Sequence, residues 1–88
     1  NETTLNIKEN LSNKVFIYPN PNDKIFNIQS SANMNTIEIL DILGNSIQTI
    51  YTQSASIQIN IKDKPSGIYF LKINFINDNS VIKRIICN

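Results

Sequence analysis

An all-β domain of short antiparallel strands is the fold this sequence predicts, and three observations predict it. The 88 residues include 18 Ile and 15 Asn; isoleucine favours pleated structure and asparagine favours turns. Seven apolar segments recur at intervals of about ten residues, separated by turn formers, which is the spacing of a sandwich or barrel. Within them apolar and polar residues alternate with the period of a strand, and nothing sustains a helical period.

Residues 1–13, NETTLNIKENLSN, are polar. Leu5, Ile7 and Leu11 fall at a loose helical spacing, but the β-branched and Asn content is poor for a helix this short. The stretch reads as a linker or arm, leaving 14–88 as the domain. Its first segment, 14–18, runs into Tyr18-Pro19-Asn20-Pro21. Each proline fixes φ, lacks a backbone donor and biases the residue before it towards extended geometry. The segment therefore ends in a stiff corner.

The second segment is 24–29. The third, 36–42, sets Ile37 and Ile39 against Thr36 and Glu38, then enters "DILGNSI". There Gly44 and Asn45 suit a turn with positive φ, and Asp41 is placed to accept hydrogen bonds from the turn's amides. The fourth is 46–52. In the fifth, 56–61, Ile57, Ile59 and Ile61 oppose Ser56, Gln58 and Asn60. Gly67 closes "KDKPSG", where a missing Cβ permits a sharp start or close packing. The sixth, 68–75, points Tyr69, Leu71, Ile73 and Phe75 one way. The seventh, 80–86, places Val81, Lys83 and Ile85 on one face, with Ile82, Arg84 and Ile86 on the other. One wet face per strand favours antiparallel sheets over a shared core.

Composition removes several functions. Eight basic residues face seven acidic ones, a net +1, and no basic cluster supports nucleic-acid binding. The single adjacent basic pair is Lys83-Arg84. No window reaches the roughly 18 apolar residues of a membrane span, and residues 1–10 lack the features of a signal peptide. With no His and only Cys87, an internal disulfide, a Cys/His zinc site and a His-activated nucleophile are all excluded. Cys87 reads as a small residue near a strand end. Asp23, Asp41, Asp63 and Asp78 lie in four separate regions, with no acid–base pair and no calcium-loop spacing. No cofactor, metal or catalytic site is predicted.

Taken in order, "VFIYPNPNDKIFNI", "IEILDILGNSI", "PSGIYFLKI" and "VIKRII" resemble the type A C-terminal sorting domain of type IX secretion cargo from Bacteroidetes. The resemblance spans residues 14–88. It implies a seven-stranded, immunoglobulin-like antiparallel β-sandwich that serves as an address without chemistry of its own. It further implies passage through the periplasm to the cell surface or medium. The implied partners are an outer-membrane translocon, shuttle proteins and a sortase-like surface peptidase that removes the domain or anchors the cargo.

By resemblance, Tyr18, Pro19, Asn20 and Pro21 form the family's corner, and Asp41 and Gly44 its turn. Gly67 and Tyr69 match the start of the sixth strand, and Lys83 and Arg84 the basic tail. Lys64 stands where such domains usually carry an apolar residue, and the chain closes on Cys87-Asn88 where a lysine is common.

The competing reading is an adhesive, spacer or carbohydrate-binding sandwich. Sugar-binding faces usually present aromatic platforms, often Trp. This chain has no Trp, and Tyr69 and Phe75 are expected to face inward.

Overall fold

The structure, a computed structural model, describes residues 14–88; the arm expected over 1–13 lies outside them. Seven strands form among the described residues: β1 (Val15–Tyr18), β2 (Ile25–Ser30), β3 (Met34–Leu40), β4 (Ser46–Tyr51), β5 (Ser56–Asn60), β6 (Gly67–Phe75) and β7 (Ser80–Cys87). They build a three-stranded sheet, β1-β2-β5, and a four-stranded sheet, β4-β3-β6-β7. Every ladder is antiparallel. The segments predicted from alternation thus become strands in the predicted order.

Alternation also sets which side chains are buried. On β6, Tyr69, Leu71, Ile73 and Phe75 are all buried, as expected. Facing them are Phe26 and Ile28 of β2 and Ile59 of β5, so the inner faces of both sheets feed one apolar cluster with Ile37, Ile39 and Ile85. Each fully buried aliphatic of this kind contributes about 1.5–3 kcal/mol by leaving water. Ile57 is only partly buried at the margin, near the start of an edge strand.

Most strand limits fall within one residue of the sequence reading, and both limits of β3 differ from it by two. β3 begins at Met34, because its side chain is fully buried and its N–H donates to Ser54 O (3.0 Å). The polar neighbours Asn33 and Asn35 conceal that start. β3 also stops at Leu40, which leaves Ile42 and Leu43 in the turn, 64% and 82% exposed. Their apolar character reads as strand, yet the hydrogen bonds of Asp41 hold them out of the ladder.

β1 and β2 form a hairpin whose loop is the proline corner. The chain then crosses between sheets at 31–33, 52–55 and 61–66, while β3–β4 and β6–β7 are hairpins within one sheet. β1 is one edge of the first sheet and β7 one edge of the second.

Core and surface positions should separate cleanly on mutation. Leu71→Ala is expected to cost about 2–5 kcal/mol, a large share of the stability of so small a domain. Tyr51→Ala, at a site 79% exposed, should stay within about 0.5 kcal/mol. Urea denaturation of both variants checks this; equal costs would contradict the assigned core.

Candidate functional site

The corner is held by the far end of the chain. Asn20 accepts from Ile86 N–H through Oδ1 (3.0 Å) and donates through Nδ2 to Arg84 O (3.4 Å). Two residues on, Asn22 N–H donates to Ile86 O (3.0 Å) and Asn22 O accepts from Asn88 N–H (2.8 Å), a parallel bridge beside Cys87. Both prolyl bonds, Tyr18–Pro19 and Asn20–Pro21, are cis. With the two prolines unable to donate, the asparagines between and after them supply the polar contacts. Tyr18 completes the corner, donating from its hydroxyl to Gln29 Oε1 (3.3 Å) while its carbonyl accepts from Asn27 Nδ2 (3.4 Å).

Sequence reasoning missed Asn22. It is 2% exposed, the single buried polar side chain among the described residues. Its Oδ1 accepts from Lys24 N–H (2.8 Å), which holds Lys24 at a positive φ of 73°. Its Nδ2 makes no hydrogen bond of ordinary geometry, although it lies near enough to the Cys87 sulfur to favour its charged form slightly. The signal available was an Asn in a Pro/Asn/Asp run, which reads as turn chemistry and says nothing of a partner 65 residues away.

Cys87 is buried at the end of β7. Burial pushes its thiol pKa up, against smaller opposing effects of the Lys24 charge and the Asn22 amide. Its thiol is therefore held neutral within the core.

The "DILGN" turn is organised by one carboxylate. Asp41 Oδ1 accepts from Leu43 N–H and Asn45 N–H (2.9 Å each), and Oδ2 accepts from Asn45 Nδ2 (3.4 Å). The Asp41 backbone closes the same turn, accepting from Gly44 N–H and donating to Asn45 O (2.9 Å each). The Asn45 amide holds the carboxyl below its usual range, reinforced by the Leu43 and Gly44 amides and opposed by partial desolvation. Gly44 sits at φ +90° and Gly67 at φ +150°. A Cβ at either glycine would meet nothing within 4 Å, so conformation, and not the close packing considered for Gly67, is what calls for glycine.

Tyr69 is buried and donates from its hydroxyl to Pro65 O, tying the KDKPSG loop to the sheet. Burial raises its pKa, with smaller contributions from Cys87 and Asp41. Lys64 makes its side-chain contact with Asp63 (3.4 Å), while the apolar anchor of this loop is the fully buried Ile61.

These motifs, scattered through the sequence, meet at one end of the fold. Gly67 pairs with Cys87, Tyr69 with Ile85 and Phe70 with Arg84. Phe70 also pairs with Leu40, the residue before the Asp41 turn. Cys87 bridges to Asn22 in the corner. Lys83 is half-buried and Arg84 exposed. An open groove of about 360 Å³ runs beside the corner, with β1 on one wall, Lys83 and Arg84 on the other, and Asn20 at its end.

Among the described residues no three His, Cys, Asp or Glu side chains gather as a metal site. Nor does any helix among the described residues have the length and apolar character to cross a membrane. The two antiparallel sheets bring these distinctive residues to one end of the fold. The family model of the secretion system C-terminal sorting domain matches residues 16–88. The chain belongs to that family, the sorting domains of type IX secretion cargo, and its membership implies export to the cell surface or the extracellular space. The family is one of sorting signals and is generally non-catalytic. No curated protein matches the sequence closely enough to count as a relative.

Two measurements check this geometry. Asn20→Ala removes both side-chain contacts to β7 and is expected to cost about 1–2 kcal/mol. It should also speed hydrogen exchange at the Ile86 amide; unchanged exchange would contradict the anchor. The Asp41 carboxyl should titrate with a midpoint below 3.8, its ordinary value. A depressed folded-state pKa means its bonds stabilise fully above the unfolded value and are lost as pH falls through the folded one. A carbon-detected titration with a midpoint at or above 3.8 would contradict the assigned hydrogen bonds.

Proposed function

We propose that this domain is a non-catalytic address that carries its cargo across the outer membrane by the type IX route, and that the convergent end of the fold is the surface read. One observation supports this most directly: Asn20 binds β7 at Arg84 itself and at Ile86, so the corner and the basic strand make one continuous surface. Neither motif by itself needs that arrangement, since a proline corner already ends a strand and edge cations already discourage strand pairing.

In this reading the two sheets form an immunoglobulin-like sandwich. The translocon and its shuttle proteins bind the domain after it crosses the periplasm, and a sortase-like peptidase then removes it or couples the cargo to the surface. The polar stretch 1–13 is the linker in which cutting takes place, since such segments are the usual sites of nicking. The roles of Tyr18, Pro19, Asn20 and Pro21, and of Lys83 and Arg84, are then recognition. Those of Asp41, Gly44, Gly67 and Tyr69 are to shape the end that presents them.

The test separates address from fold. Residues 1–88 fused behind a periplasmic reporter should appear outside a cell that has the type IX machinery. Replacing Lys83 and Arg84 together with Gln should lower export while stability changes by no more than roughly 1 kcal/mol, because solvated charges without a salt-bridge partner contribute little. Export at the wild-type level by an intact double variant would reduce the pair to a solvated edge. Mass spectrometry of released cargo should place the cut within residues 1–14, and a cut inside 24–75 would contradict the linker assignment.

A further inference from the structure

The seam between β1 and β7 is closed at one end and open at the other. Ser31 N–H donates to Lys14 O (3.0 Å). Antiparallel ladders bond at alternate residues, so Phe16 and Tyr18 face β2, and Val15 and Ile17 turn their N–H and C=O groups to the free side. On β7 the corner takes the outward groups of Ile86 and the Arg84 carbonyl. The Arg84 N–H and both backbone groups of Ile82 have no partner among the described residues. Past the corner, two strand edges therefore face one groove with donors and acceptors unspent.

The groove's side chains are of two kinds. Phe16 is 60% and Tyr18 46% exposed on one wall, and Lys83 and Arg84 stand on the other. Among the described residues no carboxylate lines the groove and neither cation has a salt bridge.

We propose that this groove binds an extended, acidic segment of a partner protein, added as a strand along the β1 edge with carboxylates against Lys83 and Arg84. Main-chain bonds to Val15 and Ile17 supply register, and alternate side chains supply selectivity. Phe16 and Tyr18 offer contact to the apolar positions of such a strand. Charge decides between occupants: a second copy would bring its own Lys83 and Arg84 to a site that already holds two cations, whereas an acidic strand neutralises them. The proposal rests on the sorting reading only for where the partner belongs.

The experiment uses the 88-residue chain labelled for amide NMR and two blocked heptapeptides, one alternating valine with glutamate and one alternating valine with lysine. The glutamate peptide should bind at least about tenfold tighter than the lysine peptide, shifting the amides of Val15, Ile17, Ile82 and Arg84. Raising salt, or changing Lys83→Gln and Arg84→Gln together, should remove most of that preference. N-methylation of the peptide along one edge should abolish binding. Equal affinity for both peptides, shifts confined to another face, or indifference to N-methylation would each overturn the proposal. So would a dimer, seen by analytical ultracentrifugation, that the glutamate peptide does not dissociate. A domain that exports its reporter yet ignores the glutamate peptide sinks this proposal alone. A domain that binds the peptide in this way yet fails to export sinks the sorting reading alone.

Discussion

The fold depends on a polar clasp between its two sheets. Apolar burial brings the sheets together without direction, and any sliding that keeps Ile against Ile costs little. The hydrogen bonds of Asn20 and Asn22 to Arg84, Ile86 and Asn88 are directional, and they fix where β1 enters relative to β7. The groove, the cations beside it and the depth of Cys87 all follow from that register. Each such bond contributes only about 0.5–1.5 kcal/mol net. Its greater effect is to exclude alternatives, because a slipped corner would leave Asn22 buried without the partners of its backbone.

The periodic part of this structure was legible in the sequence. Seven alternating segments became seven strands, and the stripe of Tyr69, Leu71, Ile73 and Phe75 was buried as a unit, because a period of two leaves one face for the core. Failure began where local chemistry overrode the period. Met34 was hidden between asparagines, and Ile42 read as strand although the carboxylate of Asp41 claims the next amides for a turn. The glycines were found for one valid reason of two: positive φ demands them, whereas close packing does not.

The candidate site was legible as a set of pieces and not as a place. Pro19, Pro21, Asp41, Gly67, Lys83 and Arg84 each had a local rationale, and no local rationale says that they share one end of the fold. That fact lies in the strand order β4-β3-β6-β7 and in the bridge from Asn22 to Cys87, which are long-range pairings. Asn22 itself escaped notice because its type is that of a turn and its environment is that of a core. Asp41 is the opposite case, a residue whose type and position both announced its bonds.

The clasp also has a direction in time. Asn20 and the β7 groups it binds are separated by 64 and 66 residues, so a chain emerging from its N-terminal side presents the corner long before its partner. Until β7 arrives, Asn22 has neither Ile86 nor Asn88 to bond and the second wall of the groove does not exist. Contacts of such sequence separation form late because loop closure must precede them. The surface at that end is therefore a report of completion: it comes into being only when the last strand is in place, and a truncated chain cannot display it.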